Sequence, residues 1–180
     1  MKDLILGIDP GTRHTGFGVI AAEGDNLSYI DHGVIHLKEN WSLSERLRVL
    51  HLELNAVFTK YPARTAVIEK IFFGKNADSA FKLGHARGVC LLSAAHNAAS
   101  VEEYAARFVK KCITGSGAAG KEQVQMMVFA HLRIQPMKSA FDATDALSLA
   151  VTHARMRGTS QRVREQFKRQ LDAPEGGGTP

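Results

Sequence analysis

The sequence predicts an α/β fold in which a mixed sheet is flanked by helices. Apolar runs near the N-terminus alternate with tight turns, which is typical of an antiparallel meander. An amphipathic helix then separates this meander from a short buried strand, and a helix between two strands implies a parallel crossover. Further helices with regular apolar spacing follow up to about residue 157.

The first three strands are predicted over residues 4–37. The first apolar run ends in Asp9, and a Pro-Gly turn returns the chain into a second apolar run. A polar turn at residues 23–26 leads into a third strand over residues 27–37. Asp9 has two interpretations, because Asp before Pro-Gly is common in turns, whereas a carboxylate at the end of a buried strand suits a metal ligand. This stretch alone does not distinguish them.

The next segment predicts a helix followed by a strand. Ser42 and Glu45 match a capping box, and apolar residues at helical spacing predict a helix over residues 42–60. A short buried strand over residues 65–68 then ends in Glu69. A second carboxylate is therefore expected at the end of a strand.

A long helix is predicted over residues 75–98, with Ala80, Gly84 and Gly88 four residues apart on one stripe. Glycine inside a helix costs about 1 kcal/mol relative to alanine, so the stripe is expected to allow the close approach of another element. Two reasons remain open: close packing of this helix on the sheet, or a two-fold contact between two copies of the chain.

The rest of the chain predicts one more strand and three helices. They are a fifth strand over residues 100–104, a short helix over 105–111, a helix over 121–133 and a helix from about 139 to 157. Ser139 is expected to cap the last helix. Residues 1–158 are predicted to form one domain, and residues 159–180 a basic, partly disordered tail.

Composition is ordinary for a globular domain of 180 residues, with 44% apolar residues and a mean hydropathy of −0.14. No apolar run approaches the roughly 18 residues that span a bilayer, so a cytoplasmic protein without a membrane segment is expected. Cys90 and Cys112 lack metal-binding spacing, which favours free thiols over a disulfide or a zinc site.

The net charge is +5 and the isoelectric point is about 9.4, which favours a polyanionic partner. Four cations and no acids occur between Arg107 and Lys121, and six cations against three acids follow from Arg155 onward. Both segments are candidate phosphate contacts. The alternative, solvated surface side chains, remains open for each.

Two further acids complete a possible metal site. Asp142 and Asp145 are three residues apart, so both project from one face of the last helix. Alone, Asp142 could be a capping acid and Asp145 a solvated position. Together with Asp9 and Glu69, they could form an oxygen-only site that favours magnesium or manganese. Two ions about 4 Å apart would form a phosphodiester-cleaving centre.

Three blocks carry a resemblance to a known family. GIDPGTRHTGFGV, VIEKIFFGKNADSAFKLGHARGV and DATDALSLAVTH are similar, in the same order, to blocks of the RuvC family. These are bacterial Holliday-junction resolvases with an RNase H-like fold. The resemblance covers roughly residues 3–155, and the metal-binding acids of the family fall on the same four positions in this chain. It implies a five-stranded mixed sheet flanked by helices.

The resemblance also implies an activity and partners. A homodimer with Mg²⁺, which Mn²⁺ can replace, would bind a four-way DNA junction and cut two opposed strands symmetrically during recombination and repair. Cooperation with the RuvAB branch-migration complex is implied in the same way. A homodimer would favour a two-fold contact between two copies of the chain as the reason for the Gly84 and Gly88 stripe.

Several DNA contacts are expected from the same comparison. Phe72 matches an aromatic residue that stacks at the opened junction centre, and Phe73 is its packing partner. Lys121 is expected near the scissile phosphate, where it would also stabilise charge in the transition state. The other expected DNA contacts are Lys75, Asn76, Lys110 and Lys111. The chain departs from the family at Lys70, where a glutamine is common.

Two alternative functions, nucleotide-dependent phosphotransfer and junction binding without catalysis, fit parts of the sequence. Gly11-Thr12 superficially resembles the phosphate hairpin of actin-like phosphotransferases and ATPases, but 180 residues leave no room for their second lobe. Residues 115–121 imitate a P-loop, but Glu122 replaces the Ser or Thr that binds magnesium there. A catalytically silent junction-binding protein is the other alternative, and the complete set of four acids argues against it.

Overall fold

The computed structural model describes residues 2–70, 77–97 and 99–157. Its strands are β1 (Asp3–Asp9), β2 (His14–Glu23), β3 (Asn26–His36), β4 (Thr65–Lys70) and β5 (Ser100–Ala105). Its helices are α1 (Leu43–Lys60), α2 (Ala77–His96), α3 (Ala106–Thr114), α4 (Lys121–Leu132) and α5 (Phe141–Met156). These elements agree closely with the predicted ones.

The strands form one mixed sheet in the order β3-β2-β1-β4-β5. β1, β2 and β3 pair antiparallel as a meander, whereas β4 pairs parallel to both β1 and β5. The predicted combination of a meander with parallel strands is confirmed. β1 occupies the centre of the sheet, so the end of this strand is surrounded by other elements.

The helices cover the two faces of the sheet as two separate layers. α1 and α2 bury one apolar cluster with Leu6 and Ile8 of β1. α3, α4 and α5 bury a second cluster on the opposite face with Ile5. Successive side chains of a strand point to opposite faces, so β1 contributes to both cores in turn. We call these the α1/α2 face and the α5 face.

The two predicted helix caps have different outcomes. Ser42 forms the capping box with Glu45, because the Ser42 side chain accepts from the Glu45 N–H and the Glu45 carboxylate accepts from the Ser42 N–H. The prediction that Ser139 caps α5 is wrong. The N-cap of α5 is Ala140, which has no capping side chain, and the Ser139 hydroxyl contacts His32 instead.

The glycine stripe of α2 faces outward. A Cβ atom placed at Gly84 or Gly88 would have no heavy atom within 4 Å, apart from its own helix. On the same side of the helix, Phe81 is 73% exposed and Leu92 is 49% exposed. Packing of this stripe on the sheet, one of the two explanations left open, is therefore wrong.

Cys90 and Cys112 are free thiols, as predicted, and burial raises the pKa of Cys90 to about 12. Among the helices of the described ranges, none combines the length and the apolar character that crossing a membrane requires. The tail predicted from residue 159 lies outside the described residues.

Candidate active site

Strand pairing brings the carboxylates of Asp9 and Glu69 together. β1 and β4 run parallel, and the pair formed by Ile8 and Ile68 comes directly before the two acids. Alternation along the strands directs both side chains to the α5 face. The two acids predicted at strand ends therefore lie side by side at the centre of the sheet.

Glycines allow α5 to add two further carboxylates. A Cβ atom at Gly7 or at Gly16 would lie 1.9 Å from a backbone oxygen of α5, and for Gly16 that oxygen belongs to Asp142. Only glycine permits so close an approach. Because Gly16 pairs with Asp9, the first turns of α5, which carry Asp142 and Asp145, lie beside Asp9.

The acids meet two lysines in a cavity of about 360 Å³. Its carboxylates are those of Asp9, Glu69 and Asp145, and its lysines are Lys110 of α3 and Lys121 of α4. The other lining residues are Ala106, Val109, Val124, Ser148 and Leu149. Charged groups of both signs therefore share one partly apolar cavity.

Asp142 lies beside this cavity and is not part of its lining. Its negative charge is nevertheless close enough to contribute to the raised pKa of Asp9. Within the described ranges, no three Asp, Glu, His or Cys side chains form a group that could hold a metal ion as they stand. Three of the predicted acids share the cavity, and a complete ligand set requires side-chain movement.

The carboxylates repel one another and are partly buried. Burial raises the pKa of Asp9 to about 9, with further contributions from the charge of Glu69, a hydrogen bond to Glu69, and the charges of Asp145 and Asp142. Burial also raises the pKa values of Glu69 and Asp145, although the nearby Lys121 and Lys110 oppose this. In the metal-free cavity, proximity of the two carboxyl groups therefore favours a proton shared in the hydrogen bond between Asp9 and Glu69.

Lys121 is the first residue of α4 and reaches the acids directly. Its Nζ atom lies 3.5 Å from Oδ2 of Asp145 and 5.7 Å from the ring centre of Phe141. Gly120 is the N-cap of α4, so the segment that imitates a P-loop directs its lysine to a carboxylate. Lys111, on the exposed side of α3, is not part of the cavity lining.

The donor set fits a divalent metal ion. The cavity offers only carboxylate oxygens as anionic ligands, which hard cations such as Mg²⁺, Mn²⁺ or Ca²⁺ prefer. The pKa values of its acids are raised first by burial and then by the neighbouring carboxylates, whose negative charges the two lysines balance only in part. A bound cation would remove this imbalance.

Arg87 is a contact to this site that sequence reasoning missed. Its Nε atom donates to the backbone oxygen of Glu69 at 3.4 Å, and its guanidinium forms an ion pair with Glu103 of β5. α2 is thereby joined to the two strands at the end where Glu69 lies. No local sequence signal marks Arg87, because these contacts depend on the order of strands in the sheet.

Four of the predicted DNA contacts lie outside the described residues, namely Phe72, Phe73, Lys75 and Asn76. Lys70, the residue that departs from the family pattern, ends β4 and is exposed.

The comparison with known proteins identifies the family. A family model described as crossover junction endodeoxyribonuclease RuvC matches residues 5–153. The chain belongs to the RuvC family. It is therefore a hydrolytic DNA endonuclease, and neither the phosphotransferase nor the silent-binder alternative is supported. Nucleases of the RuvC family are metal-dependent.

Individual RuvC proteins support the assignment. The chain is 47% identical over 154 residues to the crossover junction endodeoxyribonuclease RuvC of Bdellovibrio bacteriovorus, covering 86% of this chain and 91% of the relative. The structure of Thermus thermophilus RuvC matches with a TM-score of 0.78 and 30% identity, covering 86% of this chain and 95% of the other. The predicted RNase H-like fold is confirmed.

A second RuvC structure from T. thermophilus contains a Holliday junction substrate. It matches with a TM-score of 0.79 and 27% identity, covering 87% of this chain and 96% of that chain.

Proposed function

We propose that this RuvC protein resolves four-way DNA junctions by metal-dependent hydrolysis of two opposed strands. The observation that carries the proposal is the cavity in which Asp9, Glu69 and Asp145 face Lys110 and Lys121. Carboxylates that need a cation, next to lysines that can bind phosphate, match the needs of phosphodiester hydrolysis. The T. thermophilus complex supports a junction as the substrate.

We assign the metal to Asp9, Glu69, Asp142 and Asp145. The proposed ions are two Mg²⁺ per site, with Mn²⁺ as a substitute, because the ligands are all oxygens. When bound, such ions supply an activated water and stabilise charge on the phosphate and the leaving oxygen. Asp9 would hold such an ion in its deprotonated form, and Asp145, whose Oδ2 atom lies 3.5 Å from Lys121 Nζ, would offer a carboxylate oxygen to it.

The lysines and the apolar wall have separate tasks. Lys121, which lies beside Asp145, would bind a non-bridging oxygen of the scissile phosphate and stabilise the charge that develops there. Lys110 contacts a phosphate of the same strand. The side chains of Val109, Val124 and Leu149 exclude bulk water from one side of the cavity, which strengthens these charge interactions.

The chain is proposed to act as a homodimer. The exposed stripe formed by Phe81, Gly84, Gly88 and Leu92 is apolar and free of bulk along its centre, so a second copy of α2 can approach closely. A two-fold axis through this contact would place two equivalent cavities on one junction. Equivalent cavities explain how paired, symmetric cuts would arise.

The remaining expectations concern DNA and protein contacts. Phe72 is proposed as the aromatic residue that stacks at the junction centre, with Phe73 packed behind it. Lys75, Asn76 and Lys111 are proposed as additional DNA contacts. Cooperation with the RuvAB complex and a cytoplasmic location remain predictions from the family resemblance.

The decisive experiment uses a synthetic four-way junction with mapped cut sites. The wild-type protein with Mg²⁺ should cut two opposed strands at symmetric positions. Asp145→Asn should bind the junction with unchanged affinity and lose at least about 100-fold in cleavage rate, because a metal ligand is removed. Unimpaired cleavage by Asp145→Asn would contradict the site assignment. Absence of junction cleavage by the wild-type protein would contradict the proposed function.

A further inference from the structure

The end of α5 that carries Asp142 and Asp145 lacks the usual local support. No side chain caps this helix, and its N-cap residue is Ala140. Gly7, Gly16 and Gly18 let the backbone of α5 pack closely on the sheet beneath it. Contacts just before the start of the helix therefore bear directly on where the two acids lie.

Two hydrogen bonds from other elements hold the residue just before the cap. The Ser139 hydroxyl lies 2.7 Å from Nε2 of His32, which belongs to β3. The Ser139 carbonyl oxygen accepts from Nε2 of Gln125, which belongs to α4, at 3.1 Å. Ser139 is therefore tied to a strand on one side and to a helix on the other.

Both of these partners are themselves fixed. Nδ1 of His32 lies 2.8 Å from the Tyr29 hydroxyl, and burial lowers the pKa of His32, which keeps its ring neutral at neutral pH. In either neutral tautomer, one ring nitrogen donates and the other accepts, so both hydroxyl contacts are satisfied. The Gln125 amide also reaches the Thr144 hydroxyl, at 3.5 Å.

Gln125 additionally links the two helices that contribute to the cavity. It lies one turn after Lys121 on α4, so both side chains project from the same face of that helix. Lys121 contacts Asp145, while Gln125 contacts Ser139 and Thr144 around the start of α5. A shift of either helix would change the distance between the lysine and the acids.

We propose that His32 and Gln125 are positioning residues that hold Ser139, and through it set Asp142 and Asp145 against Asp9 for metal binding. This inference rests on the proposed function, since it assigns the acids to the metal. Residues that orient ligands from outside typically change metal affinity or activity by about 10–100-fold when they are removed.

The test measures the Mg²⁺ concentration at half-maximal junction cleavage, and separately the Mg²⁺ concentration that half-saturates the rise in melting temperature. His32→Ala and Gln125→Ala should each raise both concentrations about 10-fold. Junction affinity without added metal should stay unchanged. His32→Gln, which can still donate to Ser139 through its amide nitrogen, should restore both values to within about 3-fold of wild type.

His51→Ala is the matched control. His51 makes a comparable 2.9 Å contact with the Ser93 hydroxyl, but this contact joins α1 and α2 on the other face of the sheet. The control should lower the melting temperature without changing either Mg²⁺ concentration. The inference would be overturned if both Mg²⁺ concentrations were unchanged in His32→Ala and Gln125→Ala. It would also be overturned if these concentrations were as high in His32→Gln as in His32→Ala.

The two readouts separate this inference from the proposed function. If the wild-type protein does not cut junctions, the proposed function fails, and the thermal Mg²⁺ titration still decides whether His32 and Gln125 position the acids. If the wild-type protein cuts junctions while both titrations are the same in all variants, only the positioning inference fails. If His32→Ala does not fold, Gln125→Ala and Ser139→Ala provide the same comparison.

Discussion

The two faces of the sheet bury polar groups in opposite ways. On the α1/α2 face, His51, Ser93, Asn55 and Asn97 satisfy one another through hydrogen bonds of 2.7–3.0 Å. On the α5 face, burial and then mutual repulsion raise the pKa values of the partly buried carboxyl groups of Asp9, Glu69 and Asp145. The polar groups of the α1/α2 face are satisfied within the chain. The carboxylates of the α5 face are unfavourable without a cation, which a ligand can supply.

Glycines on the two faces also differ in what surrounds them. Gly7, Gly16 and Gly18 under α5 are covered by helix backbone at distances that exclude any side chain. Gly84 and Gly88 of α2 face open space. A glycine whose Cβ position is already filled serves packing within the chain, and one whose Cβ position is empty leaves room for a partner.

The largest effect is expected from Gly16→Ala. Its Cβ atom would lie 1.9 Å from the Asp142 carbonyl oxygen, so α5 must move away from the sheet. We expect a loss of about 3 kcal/mol or more in the free energy of unfolding. We also expect at least about a 100-fold loss of cleavage, since a shift of about 1 Å can cost that much. Urea unfolding and junction cleavage measure both, and a fully active Gly16→Ala protein would contradict the described packing.

A second prediction concerns the opposite pH dependence of two aspartates. The pKa of Asp9 is about 9 in the folded, metal-free protein and about 3.8 in the unfolded chain. Asp9 therefore contributes to stability below pH 3.8, and this contribution is lost as the pH rises through about 9. Metal-free Asp9→Asn should therefore melt higher than wild type at pH 8. Each 1 kcal/mol gained should raise the melting temperature by about 2–4 °C.

Asp31 provides the control for this pH experiment. Burial would raise its pKa, but hydrogen bonds from Tyr61 and Lys60 outweigh burial and lower it. The contribution of Asp31 is therefore present above its unfolded pKa and is lost as the pH falls. Asp31→Asn should lower the melting temperature at pH 8. Equal changes in the two variants would contradict the opposite charge environments described for Asp9 and Asp31.

Gly84→Ala should affect the single chain and the dimer in opposite directions. Alanine favours the helix by about 1 kcal/mol over glycine, and no neighbour within the chain obstructs it. The monomer should gain up to this amount, while the added methyl group should weaken a close helix–helix contact. Sedimentation equilibrium measures the dimer dissociation constant, and an unchanged constant would exclude this stripe from the interface.

The smallest effect is expected from Lys110→Ala. Removal of one phosphate contact should lower the slope of log affinity against log salt concentration by about one unit. Arg64→Ala is the control, because Arg64 is exposed just before β4, at the opposite end of that strand from Glu69. Equal slopes for the two variants would remove Lys110 from the DNA contacts.

Sequence patterns predicted the elements of this fold well because each depends on local spacing. The strand runs, the Ser42 capping box and the acids at strand ends are examples. The close approach of α5 was missed, because the pairing register that places Gly7 beside Gly18 and Gly16 beside Asp9 is not visible in the sequence. Ser139 was misassigned because a contact with distant His32 replaced the local cap.

The order of the cavity residues along the chain has a consequence for synthesis. Asp9 emerges from the ribosome first, Glu69 follows after α1, and Asp145 arrives with α5, the last of the described helices. A nascent chain can pair β1 with β4 long before α5 exists to cover the glycines. The nuclease cavity therefore cannot be completed before α5 has been synthesised, so chains that stop short of α5 lack a complete cutting site.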